Sequence, residues 1–185
     1  MKSQVRILAV LLAAAATQSA FAADGKINFE GVLSDSTCVV TVNGAVGPAP
    51  ATVKLPKISA AQLKTAAEVA GKTGFNITLS ACTGTTTKAA AFFEPGSTVD
   101  PLTHNLTNTI ADPAVGAKNV QLQLLDGTNG KAIKAGDSAQ VTDTEKVTKN
   151  TAGDTVLPYA VQYISTGLAT AGTINSNVTY SISYE

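Results

Sequence analysis

The stretch Ile174-Asn-Ser-Asn-Val178-Thr-Tyr180-Ser-Ile182-Ser-Tyr184 decides the reading of this chain. Ile174, Val178, Tyr180, Ile182 and Tyr184 share one register, and Asn175, Asn177, Thr179, Ser181 and Ser183 occupy the other. Successive side chains of a strand point to opposite faces, so this pattern predicts a strand with one apolar and one polar face. The apolar series runs to the penultimate residue. Chain ends fray unless something docks them, so the strand is expected to pack in a sheet over residues 173–184.

Working outward, the same period of two recurs. Residues 74–82 alternate Phe75, Ile77, Leu79 and Ala81 against Asn76, Thr78 and Ser80. Residues 37–42, 52–55, 88–93, 120–125 and 156–164 read as further strands, and residues 23–33 place Ile27, Phe29 and Leu33 on one face, with Gly25 and Gly31 in the same register. Ser59 is placed to cap a single helical turn at 59–63. Residues 94–118, with Pro95, Pro101 and Pro113, read mostly as loop, as do residues 127–131 around Asn129-Gly130. Many short strands separated by turn signals predict an all-β antiparallel sandwich or barrel. No composition shift marks a second domain.

Composition bounds the function. The 185 residues are 44% apolar but only 14% charged, with 13 basic against 13 acidic residues. One arginine, Arg6, and no basic run argue against nucleic acid as a partner. His104 is the whole imidazole inventory, which excludes a two-histidine metal site. A catalytic reading would have to join His104 to Asp100 and Ser97 in a loop. No Gly-x-Ser-x-Gly elbow frames that serine. Asp112, Asp126, Asp137, Asp143 and Asp154 are scattered without calcium-loop spacing and read as turn residues. The chain therefore reads as no enzyme, with no metal and no cofactor.

Residues 1–22 read as a secretory signal peptide. Lys2 and Arg6 precede an unbroken apolar run from 7 to 16, and Ala20-Phe-Ala22 supplies small residues at the two positions a signal peptidase reads. Ten apolar residues span about 15 Å as a helix, half a bilayer. The mature chain expected from residue 23 keeps 11 lysines against 13 acids, a net charge of −2. Export favours pairing of the two cysteines, Cys38 and Cys82, in a structural disulfide.

Taken together, these residues resemble the major subunits of chaperone–usher fimbriae, close to the type 1 fimbrial pilins. Ile27-Asn-Phe-Glu-Gly-Val-Leu33 before Cys38 is similar to the family's N-terminal extension. Gly74-Phe-Asn-Ile-Thr-Leu79 before Cys82, Val120-Gln-Leu-Gln-Leu-Leu-Asp126 and Pro158-Tyr-Ala-Val-Gln-Tyr163 resemble its later blocks. Gly172, fourteenth from the end, and the penultimate Tyr184 match its C-terminal signature.

The resemblance implies an incomplete immunoglobulin-like antiparallel β-sandwich completed by donor-strand complementation. It divides the chain into signal peptide 1–22, N-terminal extension 23–33 and pilin domain 34–185. It makes Ile27, Phe29, Gly31 and Leu33 the donor strand, and Gly172, Val178, Tyr180, Ile182 and Tyr184 the border of the groove and the surface a chaperone reads. Burying three large donor side chains contributes about 5–9 kcal/mol before ordering costs. The implied partners are other pilin subunits in a homopolymer, a periplasmic chaperone and an outer-membrane usher. The implied destination is a fimbrium at the cell surface, reached through the periplasm and supporting cell adhesion. Two other readings stay open: a minor adaptor pilin of the same fibre, and a secreted carbohydrate-binding β-sandwich module.

Overall fold

A computed structural model describes Lys26, Asn28 and residues 30–150 and 153–185. The chain divides into the unit Met1–Val32 and the unit Leu33–Glu185, and every strand named here belongs to the second. Of the sequence-predicted strand at 23–33, residues 23–25, 27 and 29 lie outside the described residues, and residues 30–33 carry no ladder.

Among the described residues, ten strands form two antiparallel sheets. They are β1 (Val39–Val42), β2 (Ala45–Val46), β3 (Val69–Ser80), β4 (Lys88–Phe93), β5 (Leu106–Thr107), β6 (Val120–Asp126), β7 (Ala132–Ile133), β8 (Val147–Thr148), β9 (Thr155–Ser165) and β10 (Tyr180–Tyr184). The first sheet runs β2-β1-β3-β9-β6-β5, with β7 also on β6, and the second runs β10-β4-β8. A short helix, α1 (Gln140–Asp143), precedes β8.

The alternation read in the sequence is what the two sheets bury between them. Ile77 and Leu79 of β3, Leu157 of β9 and Phe93 of β4 are almost fully buried. Tyr159 joins the layers: its ring packs at 5.8 Å from Phe75 and edge-on at 5.2 Å from Phe93, and its hydroxyl accepts a 2.7 Å hydrogen bond from the Ala91 N–H. Aromatic pairs of this geometry add stability beyond the area they bury.

Cys38 and Cys82 are disulfide-bonded, joining the chain before β1 to the chain after β3. Ser59 caps the 3₁₀ turn Ala60–Gln62 by accepting from the Ala61 N–H. Asp112, Asp126 and Asp137 each accept from the N–H two residues on, the turn role expected of them. Asp126 goes further: its other carboxylate oxygen accepts from the Glu145 N–H, and the residue is buried.

The structure corrects several expectations. Residues 52–55 form no strand, because residues 51–58 have no ladder partner among the described residues, although Val53 and Leu55 pack on the core. The strand expected at 74–82 begins earlier, at Val69, and passes through a register shift between Ala70 and Thr73. Gly71 makes that shift possible with φ +66, where a Cβ would stand 2.8 Å from the Tyr163 ring. The loop 94–118 contains β5, paired to β6. The last strand, expected over 173–184, is a ladder only from Tyr180 to Tyr184. The strands β7 and β8 and the helix α1 gave no periodic signal, being two to four residues long.

The disulfide closes a loop of 44 residues. Replacing both cysteines by alanine is expected to cost about 4 kcal/mol in the chain-entropy account, read by denaturant unfolding; an unchanged midpoint would refute it.

Candidate functional site: an open strand edge

β10 is hydrogen-bonded on one side only. Its register with β4 runs from Tyr180 opposite Phe93 to Tyr184 opposite Ala89, and its other edge has no partner among the described residues. Tyr180, Ile182 and Tyr184, with Ile174 and Val178 before them, are half-buried against the main core. An unpaired edge beside half-covered apolar side chains is a template for another strand.

The opposite side of this small sheet is closed. β8 pairs with Lys88 and Ala89 of β4. Beyond β8, Tyr159 covers the Ala91 N–H and the Gln140 carboxamide takes both main-chain groups of Phe93, accepting from its N–H and donating to its carbonyl at 3.0 Å each. Side chains thus fill the hydrogen-bonding places at Ala91 and Phe93 that a strand longer than β8 would use.

The ladder between β4 and β10 stops where Glu94 N–H meets the Thr179 carbonyl. The next residue facing β10 would be Gly96, but its carbonyl instead accepts from the Val99 N–H in a turn. Residues 174–179 therefore stay outside the ladder and are held by the 94–118 loop. Thr98 Oγ1 donates to the Asn177 carbonyl at 2.6 Å, and the Thr109 N–H and hydroxyl both donate to the Asn175 carbonyl. Asn108 is the knot: its Nδ2 donates to Ala117 and Thr173 carbonyls at 3.0 and 2.9 Å, and its Oδ1 accepts from Asn175 and Ile110 N–H groups at 3.0 and 3.2 Å. That is the full capacity of one carboxamide.

Gly172 leads into this strand. A Cβ there would collide with the Ala117 nitrogen, so the main chains cross where only glycine fits. At the far end, Glu185 returns to the ladder with Lys88, and Lys146 Nζ is ion-paired with the Glu185 carboxylate. Lys149 Nζ lies 5.9 Å over the Tyr184 ring.

All four tyrosines have phenols pushed up from the usual 10.0, chiefly by burial: Tyr163, Tyr180, Tyr184, and Tyr159 to about 12. Tyr159 also faces the charge of Asp126, while the Ala91 N–H pulls the other way. For Tyr184 the backbone of Cys38 opposes the effect of burial.

The expected site residues fall unevenly. Val178, Tyr180, Ile182 and Tyr184 lie together on the half-buried face. Ile27 and Phe29 lie outside the described residues, and Leu33 is fully exposed. Asn108, Thr98, Gln140 and Tyr159 were not singled out from the sequence as site-forming. A lone carboxamide in a loop gives no pattern, and three of the four Asn108 partners are 9 to 67 positions away. The Asp100–His104 pairing is absent. The Asp100 carboxylate accepts from the N–H groups of Thr103 and Leu102, which hold its pKa low, and from Gln121. His104 faces the Ala135 carbonyl at 3.1 Å and Asp137 at 3.7 Å.

A two-sheet antiparallel sandwich whose small sheet ends in an open, apolar-backed edge is the architecture of a structural subunit to which another chain can add a strand. The type-1 fimbrial protein family model matches residues 55–185. An F17 fimbrial protein of Escherichia coli is 41% identical over 98% of this chain and 99% of its own. The major fimbrial subunit SMF-1 of Stenotrophomonas maltophilia is 42% identical over 92% and 98%. Among solved structures, a Burkholderia pseudomallei antigen and type I fimbria protein superposes with TM-score 0.51 at 24% identity, covering 82% of this chain and 99% of its own. A chain from a chaperone–usher pilus superposes with TM-score 0.53 at 17% identity, covering 88% and 96%. The chain belongs to the type-1 fimbrial protein family and is a structural fimbrial subunit that assembles with other pilin subunits into a surface fimbrium. Among the described residues, no helix is long and apolar enough to cross a membrane.

Asn108→Ala strips four hydrogen bonds from the 173–179 segment and its neighbouring loop at once. It is expected to raise amide exchange there at least tenfold while β3 and β9 stay protected; unchanged exchange at Asn175 would remove Asn108 from this role. Raised phenol pKa values set a second expectation. The tyrosines stabilise the fold fully below the unfolded value near 10, and that contribution is lost as pH climbs toward about 12. Tyrosinate absorbance of the folded subunit should therefore lag that of the denatured chain; coincident titrations would contradict the burial.

Proposed function

We propose that this subunit polymerises head-to-tail by donor-strand exchange. The N-terminal extension, Ala23 to Leu33, of one copy adds to the open β10 edge of the next, with Ile27, Phe29, Gly31 and Leu33 toward the groove. The observation that carries the reading is the one-sided β10, with Tyr180, Ile182 and Tyr184 half-buried beside an unpaired main chain. A donated strand supplies both missing elements: ladder partners for the edge and cover for the apolar face. The contact joins different surfaces of identical chains. It therefore does not close on itself, and an open filament results.

Before assembly the same edge needs a temporary partner. In this reading a periplasmic chaperone lends a strand to β10, reading Val178, Tyr180, Ile182 and Tyr184 beyond the Gly172 crossing. An outer-membrane usher then exchanges it for the next extension. Residues 1–22 direct export and are removed. The high identity to a protein named as a major fimbrial subunit favours a rod-forming role over a minor adaptor.

Tyr184→Asp and Ile182→Asp set a carboxylate on the half-buried face, where an unpaired charge is costly to bury. Both are expected to abolish co-purification with the chaperone, and the subunit is expected to be degraded in the periplasm. Ser183→Asp, on the exposed face, should be milder. Normal chaperone capture of Tyr184→Asp would refute the recognition role. Deleting residues 23–33 from the mature chain should leave capture intact and stop fibre growth, and long fibres from that variant would refute the donor assignment.

A further inference from the structure

The threonine-rich stretch Thr83-Gly-Thr-Thr-Thr-Lys88 runs from the disulfide into β4 and meets the chain near both of its ends. On one side it holds residues 36–38, the root of the N-terminal extension. The Thr83 N–H donates to the Thr37 carbonyl at 2.8 Å, and the two threonine hydroxyls are hydrogen-bonded at 2.9 Å. The Ser36 and Thr86 hydroxyls are hydrogen-bonded to each other, and the Thr86 N–H donates to Ser36 Oγ at 3.4 Å. Ser36 is buried, whereas residues 30–35 are exposed and lie outside any ladder. A Cβ on Gly84 would stand 2.4 Å from Ser36 Oγ and 2.6 Å from its Cα, and φ there is +83. Glycine is what lets the stretch close on the serine.

On the other side the same stretch holds the end of the last strand. The Thr87 and Lys88 N–H groups both donate to the Glu185 main-chain oxygen. Lys149 joins the two sides. Its N–H donates to the Thr87 carbonyl at 2.7 Å, and its Nζ donates to Thr86 Oγ1 at 3.2 Å while lying over the Tyr184 ring. The Tyr184 hydroxyl faces the Cys38 main chain.

We propose that this stretch is a bracket that fixes the root of the extension to the end of β10. The point from which a subunit gives its strand and the edge on which it receives one then move as one body. Residues 33–35 are the joint between consecutive subunits. This rests on the donor-strand reading and adds two positioning residues to it, Ser36 and Thr86. An open head-to-tail assembly repeats one relation between its two contact surfaces at every step. Play between those surfaces within a subunit is therefore multiplied along the fibre. Hydroxyl groups suit the task, because a hydrogen bond has a direction and apolar contact has none.

Thr86→Val and Ser36→Ala remove one hydroxyl each and leave residues 23–33 and β10 untouched, so both variants are expected to assemble. Their fibres are expected to bend more sharply in electron micrographs, with a persistence length shorter by about twofold or more. Thr86→Ser keeps the hydroxyl, and its fibres are expected to match the parent. Amide exchange at Thr83 in the Thr86→Val subunit is expected to rise about two- to tenfold, with β3 and β9 unchanged. An unchanged persistence length in both variants overturns the bracket and leaves strand donation standing. So does a persistence length that falls equally in Thr86→Ser. A rise in exchange shared by β3 and β9 marks general loosening and also overturns it. A variant that its chaperone captures and that forms no fibres overturns a role confined to positioning.

Discussion

The outer edge of β10 has no partner among the described residues, and the rest of the structure answers to that. Main-chain N–H and C=O groups must be paired or wet, and a half-buried row of tyrosine and isoleucine side chains favours cover over water. At β10 the outer main-chain edge has no protein partner among the described residues, and the apolar row is only half-covered. A fold that leaves them unmet in one place has to meet them everywhere else, or strands would add at random.

The closure of the other edge shows how this is done. Gln140, from a four-residue helix, commits its carboxamide to Phe93, and Tyr159 crosses from the large sheet to occupy Ala91. The same tyrosine packs between Phe75 and Phe93. One side chain therefore seals an edge and ties two layers together. The low charge of the chain fits this arrangement, since the described core carries few ions and Asp126 is held by main-chain donors.

The groove strand itself is built in two ways. Tyr180–Tyr184 is a regular ladder strand, whereas residues 173–179 are held by Thr98, Asn108 and Thr109 of the loop that turns away after Glu94. A strand held at one end by a ladder and at the other by side chains keeps its outer edge free along its whole length. A ladder on both sides would have stabilised it more and left nothing for a second subunit to complete.

Alternation at period two fixed the faces of β3 and the apolar face of the last segment, because each is a local property of side-chain order. The signal-peptide pattern and the even cysteine count are also local, and the cysteine count made the Cys38–Cys82 bond an expectation that the geometry meets. What the order of residues could not say is which edge is left open. Residues 52–55 and 173–179 have the pattern of strands and no ladder, since a ladder needs a neighbour that only the folded chain supplies. Asn108 and Gln140 carry no periodic signal. Each matters through hydrogen bonds made with groups distant in the chain, and tertiary structure alone brings those groups together.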